Sequence, residues 1–161
     1  MPISPASAAA CFSSFTNKTT ANGLGSNTVN GVYVDGSTVY AATDGGLSIS
    51  TDSGASFTQT FTTATTPAIA DNTVLGVYAD GDTIYAATDG GLSFSTNGGT
   101  TFTTKNAAVL GTADFADPLT GVYAVGSTVY AATDGGLSIS TNGGANFTKK
   151  TTGNTGSPGL G

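Results

Sequence analysis

Gly31-Val32-Tyr33-Val34-Asp35-Gly36-Ser37-Thr38-Val39-Tyr40-Ala41-Ala42-Thr43-Asp44-Gly45-Gly46-Leu47-Ser48-Ile49-Ser50 decides the fold, because it returns almost letter for letter from Gly76 to Ser95 and from Gly121 to Ser140. Tyr33, Tyr78 and Tyr123 mark the same point in each copy, at two equal intervals of 45 residues. A fixed period of this size is the signature of a repeat architecture. Within each copy the text reads as short strands joined by turns. Val32–Val34 meets Thr38–Thr43 across Asp35-Gly36-Ser37, an Asp-Gly hairpin signal. Asp44-Gly45-Gly46 turns the chain into Leu47–Ser50, where Leu47 and Ile49 alternate with Ser48 and Ser50. Thr51-Asp52-Ser53-Gly54 turns it again into a fourth strand over residues 57–61.

Four antiparallel strands in about 45 residues are the dimensions of a β-propeller blade, so the expected class is all-β, with three four-stranded blades. Val32, Val39, Leu47 and Ile49 are expected to pack blade on blade, and Gly45 and Gly46 to supply positive φ in the turn. A β-solenoid is the competing architecture. Its repeats are shorter and lack paired Asp-Gly hairpins, which favours the propeller.

Composition narrows the chemistry. The 161 residues include 24 Gly, and the ten acids are all Asp and the four bases all Lys; Glu, Arg, His and Trp are absent. That leaves no His for a triad or zinc site and no Arg clamp for phosphate. A net charge of −6 argues against nucleic acid as a partner. The 9% charged fraction and scarcity of strong helix formers argue against both disorder and helix. No apolar run reaches the roughly 18 residues of a membrane-spanning helix. At the front, Ser7-Ala8-Ala9-Ala10 precede Cys11 as small residues precede a secretory cleavage site, yet no basic or apolar stretch comes before them. Residues 1–11 therefore read as a trimmed leader or an accidental likeness. Cys11 is the sole cysteine, so no intrachain disulfide forms.

The third turn brings a family resemblance. Ser50-Thr51-Asp52-Ser53-Gly54-Ala55-Ser56-Phe57 resembles the Asp-box, Ser-x-Asp-x-Gly-x-x-Trp, of bacterial neuraminidase-type repeats. The matching positions are Ser50, Asp52, Gly54 and Phe57, then Ser95, Asn97, Gly99 and Phe102, then Ser140, Asn142, Gly144 and Phe147. Phe replaces Trp in all three boxes and Asn replaces Asp in two. The resemblance covers about residues 30–150 and implies that each box is a structural hairpin whose acid folds onto backbone amides, a role Asn can fill as an Asx-turn. It also implies secretion or a cell-surface location. Sialidases of this family use an arginine cluster and a Tyr/Glu pair, none of which this chain can assemble. Endoglucanases with similar blades use two Asp carboxylates, which the composition permits.

Topology places one candidate surface. With the four strands of a blade lettered A to D in chain order, the B–C turns with Asp44, Asp89 and Asp134 share an end of the blades with the long D–A loops, which differ in text and carry Asp71, Asp114, Phe115 and Asp117. Divergent loops on a rigid scaffold are where binding surfaces are usually built. The three repeated Asp residues nevertheless look like turn initiators rather than a differentiated acid and base. Oxygen ligands there suit Ca²⁺ in kind, but the loops lack an Asp-x-Asp-x-Asp spacing, so no cofactor or metal is expected.

Three blades are too few to close a ring, since propellers take four to eight. Residues 1–11 then form a leader-like segment, 12–29 an extra D-type strand and loop, 30–74, 75–119 and 120–152 the three blades, and 153–161 a Gly/Pro-rich tail. The extra strand, read at Phe15–Thr20 by likeness to Phe147–Thr152, makes the strand count thirteen. Either the chain is a piece of a longer propeller, or copies combine, as a dimer that closes a ring of six blades or as a fibre linked through the spare strand. In the second case Phe12, Phe15, Thr16, Asn17 and Lys18 are expected to pair with a neighbouring subunit, the alternative being that they fold back on their own chain or stay disordered. The reading is a non-catalytic, self-assembling structural or adhesive module of the cell exterior. Its rivals are a glycan-binding lectin and an Asp-based glycoside hydrolase.

Overall fold

The computed structural model describes residues 16–106 and 119–150, and these form twelve strands and one 3₁₀ turn at Thr20–Asn22. β1 (Val29–Asp35), β2 (Thr38–Thr43), β3 (Gly46–Ser50) and β4 (Gln59–Phe61) make one sheet, in chain order and antiparallel throughout. β5 (Val74–Asp80), β6 (Thr83–Thr88), β7 (Gly91–Ser95) and β8 (Thr103–Lys105) make the second, and β9 (Leu119–Val125), β10 (Thr128–Thr133), β11 (Gly136–Ser140) and β12 (Thr148–Lys150) the third. Near-identical text gives the first three strands of each blade the same register: Tyr33 faces Tyr40, Tyr78 faces Tyr85, and Tyr123 faces Tyr130. The fourth strand of blade 1 is shifted by one residue, Leu47 facing Phe61 where Leu92 faces Lys105 and Leu137 faces Lys150. No helix of the described residues is long and apolar enough to cross a membrane.

Turn chemistry sets the strand ends. Asp35 pairs with Thr38, Asp80 with Thr83 and Val125 with Thr128, so each hairpin loop is the two residues between. Its first residue, Gly36, Gly81 or Gly126, takes a positive φ of 58°, 55° or 56° that a Cβ disfavours. At the B–C turn the buried Thr43 hydroxyl donates to the Gly46 carbonyl at 2.8 Å, and Thr88 and Thr133 do the same for Gly91 and Gly136. Only the second glycine of this turn has positive φ, 121° at Gly46, which corrects the expectation for Gly45. Gly45 is needed for another reason: a Cβ there would sit 2.1 Å from the Gly25 carbonyl oxygen.

The blades stack front to back. Because side chains alternate along a strand, Tyr40, Ala42, Leu47 and Ile49 share the front of blade 1. They pack against Val74, Ala79, Ile84 and Ala86 on the back of blade 2. Tyr85, Ala87 and Leu92 repeat the arrangement against Leu119, Ala124, Val129 and Ala131 of blade 3. Two cores therefore lie between sheets, with large residues on fronts nesting against smaller ones on backs. Val32 departs from expectation. It is exposed and Val39 is half-buried, since both point to the back of blade 1, where no blade precedes among the described residues. Their repeat partners Val77 and Val129 pack inside the cores.

The extra N-terminal strand does not form over its described part. Thr16–Thr19 belong to no strand, and the turn at Thr20–Asn22 is capped by the Thr19 side chain. Stepping back by 45 residues explains the difference. Phe12, not Phe15, falls in register with Phe57, Phe102 and Phe147, so Asn17 onward corresponds to the D–A loop that starts at Thr62. Asn17 accordingly behaves as loop, Thr16, the counterpart of Phe61, also lies outside any strand, and Lys18 donates through Nζ to the Ala55 carbonyl of its own chain at 3.1 Å. Phe57 N–H donates to the Asn22 carbonyl at 2.9 Å, and Leu24 is buried against Ala41 and Phe57. Phe12 and Phe15 lie outside the described residues.

Candidate functional site

The two ends of the blades are held differently. At one end the C–D and A–B turns are tied by Ser53 N–H to Ser37 O, Gly98 N–H to Asp82 O and Gly143 N–H to Ser127 O, each 2.8 Å. At the other, Asp44 N–H donates to Thr28 O at 3.3 Å and Asp89 N–H to Thr73 O at 3.1 Å, which seats the D–A loops beside the B–C turns. The candidate carboxylates lie at this second end.

Asp44 is exposed and accepts from Asn30 Nδ2 at 2.8 Å, while the same amide also donates to the Val74 carbonyl at 2.9 Å. Asp71 folds onto its own loop, accepting from Thr73 N–H at 2.8 Å. Partial burial, and then the charges of Asp71 and Asp44, raise the Asp89 carboxyl above the ordinary Asp range. The fold thus brings Asp44 and Asp71 within electrostatic reach of Asp89. Asp134 is exposed at the equivalent turn of blade 3, and Asp114, Phe115 and Asp117 lie outside the described residues. Among the described residues no three acidic, His or Cys side chains group as metal ligands. Asp71 is engaged within its own loop and Asp44 by Asn30 of β1, and both act on Asp89 through their charge.

The Ser-x-Asx-x-Gly hairpins are closed on themselves. Ser50 Oγ accepts from Asp52 N–H (3.3 Å) and Gly54 N–H (2.9 Å) and donates to Asp52 Oδ1, while Asp52 accepts from Ser56 N–H at 2.9 Å and Ser56 Oγ at 2.7 Å. Those bonds from Ser50 and Ser56 hold the Asp52 carboxyl well below the usual range. Ser95 repeats the pattern with Asn97 and Gly99, and Ser140 with Asn142 and Gly144. Asn97 Oδ1 accepts from Thr101 N–H at 2.9 Å and its amide donates to Thr101 Oγ1, so Asn reproduces the Asp hairpin with one bond reversed. Phe57 packs on Leu24, the Phe102 ring meets Phe61 at 5.0 Å, and Phe147 joins the second core.

Sequence reasoning did not name the residues of the open blade faces. Val29, Val32, Val34, Tyr123, Val125, Tyr130 and Leu137 are the large apolar side chains exposed among the described residues. All sit on the back of blade 1 or the front of blade 3. The signal was available in the repeat, because a residue buried in the middle copy is uncovered wherever its neighbouring blade is missing. A cleft of about 80 Å³ between blades 2 and 3, lined by Tyr78, Asp80, Thr83, Tyr85, Ala124 and Gly126, is too small for more than a few waters.

No family model and no curated protein matches this chain. Solved structures do. The extracellular domain of a hybrid two-component system of B. thetaiotaomicron matches 79% of the chain at 20% identity and a TM-score of 0.64. An ancestral GH74 enzyme matches 75% at 21% identity and 0.59. YCF48, solved bound to a D1 peptide, matches 76% at 13% identity and 0.59. The chain spans 18% of each of the first two and 40% of the third. These neighbours are of β-propeller type. At such identities the likeness establishes the fold: three four-stranded, blade-like sheets of a β-propeller.

Proposed function

We propose that this chain is a non-catalytic structural or adhesive β-propeller module of the cell exterior, which completes itself by associating with further copies. One observation carries the reading. The exposed large apolar side chains fall on two sheet faces whose counterparts elsewhere in the chain are interfaces, and exposed patches of that kind mark association surfaces. The extracellular setting of the B. thetaiotaomicron domain supports the location. The GH74 likeness is the best support for a hydrolase reading, but Asp44, Asp89 and Asp134 recur at one turn position in successive blades, where an acid and a base need distinct surroundings. A glycan-binding surface at the same end rests on loops that lie partly outside the described residues. The reading involves no cofactor.

The test pairs mass measurement in solution with assays on a β-glucan and a sialoside. A defined oligomer without turnover is expected. A monomer that hydrolyses a β-glucan, with the activity lost in Asp→Asn variants, would replace this reading with the enzymatic one.

A further inference from the structure

Each junction inside the chain is built the same way. The Tyr33 and Tyr78 rings lie 5.0 Å apart and Tyr78 and Tyr123 lie 4.7 Å apart, a ladder that runs through all three blades. Beside it the innermost strands approach at glycines: a Cβ on Gly31 would stand 3.7 Å from the Gly76 Cα, and one on Gly76 would stand 3.0 Å from the Gly121 Cα. Leu47 and Leu92 are fully buried on the fronts, and Val74 and Leu119 are fully buried on the backs. Among the described residues both halves of this junction are present and uncovered. Leu137 is 38% exposed where Leu47 and Leu92 are enclosed, and Val29 is 41% exposed where Val74 and Leu119 are enclosed.

The open faces also differ from the closed ones in matched fashion. Across the first junction Asp35 Oδ2 accepts from Gly81 N–H at 3.2 Å, and Asp80 holds the same repeat position in blade 2. In blade 3 that position is Val125. On the receiving backs, Ala79 and Ala124 are buried, whereas blade 1 carries Val34. Internal junctions thus bring Asp to small residues, and the two open faces offer Val to Val.

Resting on the self-association proposed above, we infer that two copies of this chain close head to tail, the front of blade 3 of each seating on the back of blade 1 of the other. Tyr123 of one copy continues the ladder to Tyr33 of the second, and Val125 meets the β1 end at Val34. Two such junctions give a ring of six blades, within the range in which propellers close.

Native mass spectrometry and light scattering should report two copies. Leu137→Asp and Val32→Asp each alter a side chain that is exposed in the single chain and whose repeat counterparts pack into the internal junctions. Each should weaken the dimer at least about a hundredfold by burying a charge without a partner. An equimolar mixture, which restores one native junction, should recover a two-copy species. Far-UV circular dichroism checks folding. Should a variant fail to fold, photo-oxidation of the native chain with persulfate and a ruthenium sensitiser replaces it. The expected product is an interchain link between Tyr123 and Tyr33, which within one chain are separated by Tyr78. A dimer unaffected by Val32→Asp, or a link between two Tyr123 residues, overturns head-to-tail closure while self-association stands. Particles larger than two copies overturn the closed ring. A native chain that stays monomeric overturns both.

Discussion

Leu92 and Leu137 hold one place in the repeat and differ in what faces them: blade 3 covers the first, nothing among the described residues covers the second. Leu92→Ala should therefore cost about 2–5 kcal/mol, since it opens a cavity in a packed core. Leu137→Ala in the dilute single chain should cost about 0.5 kcal/mol, in the range of surface changes. Urea melts of both variants give the comparison. Charge makes a second contrast. Asp89 has a raised carboxyl, so its ionised form withdraws stability at pH above that value and returns it as the pH falls. Asp89→Asn should accordingly raise Tm at pH 7, and the gain should vanish in acid. Asp52 has the opposite sign: its contribution is complete above the ordinary Asp range and is lost as the pH falls below it. A Tm series across pH on Asp89→Asn and Asp52→Asn should show the two trends diverging.

At the scale of elements, the hairpins were legible because their chemistry is local. Asp-Gly places a left-handed glycine, and Ser-x-Asx-x-Gly supplies its own acceptors, so neither needs a distant partner. Ser95→Ala should remove the acceptor for Asn97 and Gly99 N–H groups, the latter within a buried residue, at about 1–3 kcal/mol by thermal or urea unfolding. The extra strand was misplaced for the converse reason. Phe-Thr pairs are frequent in this chain, and a Thr-rich segment reads alike as strand or loop until its partner is known. The exposure of Val32 and the tight seat of Gly45 against Gly25 are likewise tertiary facts, set by the lack of a facing blade among the described residues and by a loop about 20 residues upstream.

At the scale of the molecule, the period of 45 made the blades legible, while the proximity of Asp71 to Asp89 was not, because Asp71 lies in a D–A loop that the repeat does not govern. The missing Arg and Glu still bear on chemistry. The purified chain should release no sialic acid from a sialoside, and measurable release would overturn that expectation. Near-identity of the blades has a further consequence, for folding kinetics. Ala41-Ala42-Thr43-Asp44-Gly45-Gly46-Leu47 is repeated without change from Ala86 to Leu92 and from Ala131 to Leu137. Strand β2 therefore finds the same ladder partners in β3 or β11, and nearly the same in β7, where Phe94 replaces Ile49, and in any of these on a neighbouring molecule. What selects β3 in a dilute chain is the shortness of the connecting turn, a proximity effect that concentration erodes. Repeat proteins with such interchangeable parts are prone to strand exchange between molecules while they fold. Refolding yield should fall as chain concentration rises, and a variant whose middle blade keeps the same apolar pattern in altered text should recover it.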